Sequence, residues 1–299
     1  MQDWKAPGGI VPMLYAFFDR HDELDRDAAR RQVRACVEHG AHGVAVLGLG
    51  TEVNKLADRE RRRLVEWVAD ELAGRLPLVV TVNAPTIGAQ VEFAGFARSQ
   101  GASWVILQPP PERDVDEEFL LGFFGAVADR VELPVAIQNA PEYLGVGLTA
   151  EGVNTLQQRH PNFRILKGEG PAVTIRRYVE LTADRVAVFN GRGGMELTDN
   201  LRAGCAGIIP ATDTLDYQSR IFEWMRQGKE AQAEAAYREI LPAIAFVMQS
   251  LDSLHVYGKR LAALRLGLGD VYDRLPGLQA DAFGTQCVER FAHHLGPLT

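Results

Sequence analysis

Short apolar runs alternate along this chain with longer stretches in which apolar residues recur every three or four positions. Runs rich in Val, Ile and Leu occupy residues 10–17, 43–47, 78–82, 104–107, 134–138, 164–167, 186–190 and 207–210. Most are continuous rather than strictly alternating, as parallel strands covered on both faces require. Between them the period shifts to that of an amphipathic helix, at 27–38, 58–73, 86–100, 116–130, 149–159 and 171–182. Ala28, Val33 and Val37 mark the inner face of the first helix, and Leu64, Val65, Val68 and Leu72 that of the second. Gly40, Gly74 and Gly101 stand where helix C-termini are expected.

Two helix-to-strand turns, Glu38-His39-Gly40-Ala41-His42-Gly43 and Ser99-Gln100-Gly101-Ala102-Ser103, share one pattern, consistent with βα repetition. Eight such units predict an α/β fold, a (β/α)8 TIM barrel with additional C-terminal helices. A doubly wound open sheet is the alternative, but no GxGxxG follows the first strand. Beyond Pro210 the pattern is helical, at 216–227, 229–249, 255–266 and 280–295. The expected division is residues 1–213 for the barrel through its eighth strand. Residues 214–299 then form the closing barrel helix and a helical extension packed on the barrel.

Composition narrows the function. The 299 residues are 46% hydrophobic and 24% charged, with a net charge of −7. The pI near 5.6 argues against nucleic acid or an anionic membrane as the main partner. No apolar run reaches membrane-spanning length, and residues 1–9 lack the regions of a signal peptide. Cys36, Cys205 and Cys287 lie far apart, which suggests reduced thiols in a cytoplasm. The seven histidines form no paired ligand spacing, and the acidic stretch 19–27 lacks the glycine and final glutamate of a calcium loop. That stretch reads as a solvated loop carrying a helix N-cap. These patterns offer no metal site. His255 and Lys259 share one helix face within reach of the barrel mouth, where a packing role is expected for both. Pro109-Pro110-Pro111 forms a rigid loop expected to shape the pocket mouth.

Lys167 carries the candidate chemistry. It ends an apolar strand in Phe163-Arg164-Ile165-Leu166-Lys167-Gly168-Glu169-Gly170. Burial disfavours an ammonium, and a neutral amine can condense with a ketone. A strand-end lysine that merely snorkels to solvent is the competing reading. The other strand ends supply a polar set: Thr51-Glu52, Asn83, Gln108, Gln138-Asn139, Glu169 and Asn190-Gly191-Arg192. In a barrel, these ends share the face where chemistry sits.

Gly48-Leu49-Gly50-Thr51-Glu52, Gln138-Asn139-Ala140-Pro141 and Lys167 fall in the order and spacing of known motifs. The chain resembles the dihydrodipicolinate synthase / N-acetylneuraminate lyase family across nearly its whole length. The first segment stands where that family has GxxGE, and the second where it has YNxP. The resemblance implies that Lys167 is a Schiff-base lysine for a 2-oxo acid. It implies that the backbone amides of Gly50 and Thr51 hold the substrate carboxylate, a sound anion site on physical grounds too. It also implies a cytoplasmic homo-oligomer, a tetramer or dimer, that needs no cofactor.

The departures are informative. Gln138 replaces the family's acid/base tyrosine and cannot exchange a proton at neutral pH. Leu49 and Pro111 fall at the other members of the synthase proton relay, and Tyr143 at its carboxylate-binding arginine. Lysine-biosynthetic activity is therefore not expected. Ile137-Gln138-Asn139-Ala140-Pro141 and Lys167-Gly168-Glu169-Gly170-Pro171 resemble the VQDAP and KxExP segments of the 2-keto-3-deoxyarabonate dehydratases. That resemblance makes Glu169 the acid/base candidate; a loop carboxylate capping the next helix is the competing reading. Arg192, where that branch tends to be acidic, would pair with a distal substrate carboxylate. The competing reading is a surface arginine on a glycine loop.

The resulting expectation is a Schiff-base lyase acting on a 2-oxo acid, a dehydratase of a 2-keto-3-deoxy sugar acid. Lys167, Glu169 and Gln138 form its catalytic group. Gly50, Thr51, Asn139 and Arg192 bind its substrate. A pyruvate-dependent aldolase and a non-catalytic 2-oxo-acid binder are the alternatives.

Overall fold

The computed structural model describes residues 6–112 and 114–298. Of the stretch read for a leader, residues 1–5 lie outside it. Eight parallel strands form one sheet: β1 (Gly9–Ile10), β2 (Val44–Val46), β3 (Leu78–Val82), β4 (Ala102–Leu107), β5 (Val135–Asn139), β6 (Phe163–Gly168), β7 (Ala187–Asn190) and β8 (Gly207–Ile208). Their order is β1-β8-β7-β6-β5-β4-β3-β2. The two ends of that order meet at Met13, just beyond β1, which bridges both Ala45 in β2 and Ala211 beyond β8. Across the seam the Ala45 amide donates to Pro12 O at 2.8 Å and the Leu14 amide to Ala45 O at 2.9 Å. The sheet thus curls into a TIM-barrel-like form, as the eightfold alternation predicts.

The first strand is shorter than the apolar run 10–17. Amides of Val11 and Met13 bond toward β8, while the intervening position faces β2 and is Pro12, which has no N–H. The regular ladder stops there, and the run continues as isolated bridges. Pro210 shortens β8 in the same way. Where these two short strands meet, a side chain is excluded: a Cβ on Gly207 would lie 1.9 Å from Gly9 O.

Helices α1 (Arg26–Glu38), α2 (Asp58–Leu72), α3 (Ile87–Ser99), α4 (Glu117–Ala128), α6 (Ala150–Arg159) and α7 (Ala172–Thr182) fall within a residue or two of expectation. Asp25 caps α1 by accepting from the Ala28 amide, the N-cap role expected of the acidic stretch. Three short helices, α5 (Pro141–Leu144), α8 (Leu197–Arg202) and α11 (Leu251–Ser253), were not expected. They are too short to show a helical period. After β8 come α9 (Leu215–Arg226) and α10 (Glu230–Val247), then α11 (Leu251–Ser253), a π-helical turn (Leu254–Gly258) and α12 (Lys259–Arg265), and finally α13 (Ala282–Leu295). The chain bends by 109° after α10. No single helix among the described residues is long and apolar enough to cross a membrane.

Inside the barrel, Val79, Trp104, Ile106, Ala136, Ile165 and Phe189 form a dry plug. It floors the site; Thr81, level with Ile106, is a buried polar side chain beside it.

Asp213, just past β8, is buried. Burial pushes its carboxyl up to about 7, against the pull of backbone amides and the Arg265 guanidinium. Between the unfolded value of about 3.9 and this folded value the native state binds the extra proton. Stability therefore falls as pH rises through that window. Asp213→Asn is expected to raise the melting temperature at pH 8, by the equivalent of a few kcal/mol on the order of one per pK unit. The gain should vanish below about pH 4. A gain that does not change with pH would remove the proton linkage.

Candidate active site

Side chains alternate across each strand, so the inward series on β4 runs Trp104, Ile106 and then Gln108. On β5 it runs Ala136, Gln138, and on β6 Ile165, Lys167. Gln138 and Lys167 are register partners on adjacent strands. Each series is apolar at the plug and polar at the C-terminal end of the strand.

Lys167 Nζ lies 2.7 Å from Glu169 Oε1, with side-chain exposures of 5% and 6%. This settles one question left by the sequence: Lys167 does not snorkel. Backbone bonds hold the pair. The Glu169 amide donates to Asn139 O at 3.0 Å and the Gly191 amide to Gly168 O at 3.1 Å. Gly191 is a packing requirement, since a Cβ there would come within 2.4 Å of Glu169 Oε1.

The pair opens into a narrow cleft of about 30 Å³ whose walls include Gly50, Tyr143 and Arg192. A larger chamber of about 370 Å³ adjoins it and shares Leu49, Tyr143 and Leu251 as walls. Asn54, Asn83, Gln108 and the three prolines of the loop after β4 line this chamber. The proline run therefore shapes the mouth as expected.

Arg192 faces the cleft, 17% exposed, with a left-handed φ of 53°. It pairs with Glu196 at 3.5 Å. Its buried Nε has no acceptor among the described residues. Arg192 is thus a cleft residue and not a surface arginine. It also donates to the Tyr143 phenol. Burial pushes that phenol above its ordinary range, and Glu169 adds to the shift, while Arg192 opposes it. Tyr143 rides on α5, which Pro141 begins and Gly145, with φ 77°, ends. The sequence placed Tyr143 only where an arginine was missing; the structure brings its phenol into the site.

Two expected substrate contacts are spent elsewhere. The Thr51 hydroxyl donates to Leu14 O at 2.6 Å and its amide to Gly48 O at 3.0 Å. Thr51 shapes the turn, and Gly50 is the residue that faces the cleft. The Asn139 amide group donates to Leu148 O at 2.9 Å and to the Tyr178 phenol at 3.0 Å, and accepts from the Leu148 amide at 2.7 Å. One residue beyond Gln138, Asn139 points out of the barrel and ties β5 to the loop after Tyr143. Gln138 points in, accepts from Gln108 at 2.8 Å, and keeps a buried Nε2 without an acceptor among the described residues.

Beneath the Leu49-Gly50-Thr51 turn lies a second buried ion cluster. Glu52, left-handed with φ 57°, binds Lys55 at 2.7 Å and the wholly buried Lys259. Burial works to raise the Glu52 carboxyl, but Lys259 and its neighbours overcome this and hold it below its ordinary value. His255, one turn earlier in the π-helical segment, meets Leu49 O at 2.8 Å. Burial lowers its pKa, so the imidazole is neutral and donates there. These contacts follow the packing role expected of His255 and Lys259. No sequence signal linked Lys259 to Glu52, 207 positions away.

With this geometry in hand, similarity to known proteins becomes informative. The sequence model of the Dihydrodipicolinate synthetase family matches residues 6–290. The chain is 32% identical to 4-hydroxy-tetrahydrodipicolinate synthase of Thermus thermophilus, over 69% of this chain and 68% of that one. It is 28% identical to L-2-keto-3-deoxyarabonate dehydratase of Azospirillum brasilense, over 79% and 78%. It is 27% identical to the "Probable 2-dehydro-3-deoxy-D-pentonate aldolase YjhH" of Escherichia coli, over 87% and 89%. The crystal structure of dihydrodipicolinate synthase from Thermotoga maritima superposes with a TM-score of 0.90 at 20% identity, covering 99% of this chain and 100% of that one.

Two variants test the supports of the site. Gly191→Ala is expected to cost about 1–3 kcal/mol of stability and to push Glu169 out of its contact with Lys167. A crystal structure of the variant with that contact intact would show the cradle to be unnecessary. Lys259→Met removes one partner of a buried carboxylate and is expected to cost about 3–5 kcal/mol in denaturant unfolding. A loss under about 1 kcal/mol would mean that Lys55 alone satisfies Glu52.

Proposed function

The chain belongs to the Dihydrodipicolinate synthetase family, and from that premise we propose that it is a Schiff-base lyase. Its reaction is the dehydration of a 2-keto-3-deoxy sugar acid. The observation that carries this reading is the buried contact of 2.7 Å between Lys167 Nζ and Glu169 Oε1. An amine and a carboxyl at that distance exchange a proton directly.

The steps follow from the pair. Glu169 takes a proton from the Lys167 ammonium, and the free amine attacks the C2 carbonyl. The tetrahedral adduct loses its hydroxyl as water with the proton held by Glu169, leaving an iminium beside a carboxylate. The iminium draws electrons from C3, and Glu169 removes the C3 proton to give an enamine. The enamine expels the C4 hydroxyl, which leaves as water with that same proton. Hydrolysis of the conjugated iminium frees Lys167 and an unsaturated 2-oxo acid. One carboxyl thus serves every proton transfer up to dehydration. Gly50 and the Leu49 turn receive the substrate carboxylate, with the positive excess of Lys55 and Lys259 over Glu52 beneath them. Arg192 and Tyr143 bound the far side. A homo-oligomer in the cytoplasm remains the expected setting.

Retro-aldol cleavage would need a base for the C4 hydroxyl. Gln138 cannot serve. The Tyr143 phenol, held above its ordinary range by burial, is a poor base. Both observations favour dehydration. The similarity to the aldolase keeps cleavage as the second reading. It would release pyruvate and a second carbonyl fragment, whereas dehydration leaves the carbon chain in one piece.

Borohydride trapping with pyruvate and with 2-keto-3-deoxyarabonate tests the reading. Peptide mass spectrometry is expected to find the reduced adduct on Lys167 and to lose it in Lys167→Ala. Glu169→Gln is expected to lower turnover by about 10²-fold or more. Full turnover by Glu169→Gln would end its acid/base role, and absence of any adduct in the wild type would end the Schiff base.

A further inference from the structure

Four polar side chains form a line from the rim of the barrel to Lys167. Arg61 donates to Asn83 O at 2.8 Å and to Asn83 Oδ1 at 3.4 Å. Asn83 Nδ2 donates to Gln108 Oε1 at 2.5 Å, and Gln108 Nε2 to Gln138 Oε1 at 2.8 Å. The direction of this line follows from the Arg61 contact with Asn83 Oδ1. A guanidinium has donors only, so Asn83 must turn its carbonyl to Arg61 and its NH2 to Gln108. Gln108 must then present its carbonyl to Asn83 and its NH2 to Gln138. Gln138 is left with an unpaired NH2: its Nε2 is the buried donor without an acceptor among the described residues. Such a group costs about 1–3 kcal/mol of desolvation until something accepts from it.

The position of that donor defines what it meets. Gln138 is the register partner of Lys167. The cleft at Lys167 has room for a reacting carbonyl end only, while the chamber lined by Asn83 and Gln108 holds about 370 Å³. Gln138 lies between Lys167, which lines the cleft, and Gln108, which lines the chamber, so a 2-oxo acid longer than pyruvate that extends from the cleft toward the chamber passes beside it.

We propose that Gln138 is a fixed hydrogen-bond donor to a substrate hydroxyl beyond C3, with Arg61, Asn83 and Gln108 as positioning residues that set which end of its amide faces the substrate. The inference rests on the Schiff-base reading and adds to it the means by which a hydroxylated chain is told from a bare 2-oxo acid. A donor to the C4 oxygen holds that oxygen in place as it leaves as water, and a neutral amide supplies no base for the hydroxyl proton that cleavage must remove. The line therefore favours dehydration over cleavage.

The direction of the line is testable at a distance from Gln138. Asn83→Asp keeps the shape of the side chain but removes its donor. Gln108 must then donate to residue 83, Gln138 must donate to Gln108, and the end facing the substrate becomes a carbonyl. The measurement is the apparent affinity for 2-keto-3-deoxyarabonate relative to pyruvate, read by borohydride trapping on Lys167. Pyruvate has the same carboxylate and no distal hydroxyl, so it controls for folding and for the added charge. Asn83→Asp and Gln138→Leu are each expected to lower that ratio about tenfold. An unchanged ratio in both, with the pyruvate adduct still formed, would overturn the inference and leave the Schiff base standing. No pyruvate adduct in the wild type would overturn both.

Discussion

A charged amine and a charged carboxyl buried in the mouth of a barrel can be tolerated only together. Taking either one out of water alone costs several kcal/mol, so Lys167 and Glu169 require each other and everything that fixes their contact. The strand register sets Lys167 beside Gln138. Backbone bonds from Asn139 and to Gly168 carry the chain past β6 so that Glu169 turns back toward Nζ. Gly191 leaves the space that the carboxylate fills. The apolar plug below removes any path by which the pair could reach solvent from underneath.

A second buried pair joins the barrel to the helices that follow it. Glu52 occupies a left-handed conformation that few residues other than glycine adopt without cost. Its two lysine contacts hold it there. Because Lys259 opens α12 and His255 lies in the π-helical turn before it, the C-terminal helices act on the Leu49 turn directly. π-helical turns often mark functional sites, and this one places His255 against Leu49 O. Gly258 permits the close approach, since a Cβ there would lie 2.4 Å from the Tyr15 hydroxyl. The extension is therefore a wall of the site as well as a cover for the barrel.

These two ion clusters divide the work that a substrate would need. One supplies an amine with an adjacent proton acceptor. The other lies under a turn suited to a carboxylate. Between them stands a line of neutral amides, Asn83, Gln108 and Gln138. A neutral amide positions and never titrates, and the proposed reaction therefore assigns proton transfer to Glu169. Tyr143, held to Arg192, closes the side that a longer substrate must pass.

Local pattern was enough to place the eight strands, ten of the helices, Lys167 at a strand end and Glu169 just beyond it, because buried parallel strands and amphipathic helices each impose their own period on the chain. The site was harder to read. Thr51 and Asn139 stand in motifs, yet their donors are spent on Leu14, Leu148 and Tyr178. A motif fixes which residue is present and says nothing of which way its side chain faces. Pro12 and Pro210 trimmed strands that looked continuous, because the ladder needs an N–H at specific positions and hydropathy does not report it. The pairing of Glu52 with Lys259, the entry of Tyr143 and the direction of the amide line from Arg61 to Gln138 belong to the tertiary structure alone. Each depends on contacts between groups far apart in the chain, whose geometry exists only once the barrel has closed.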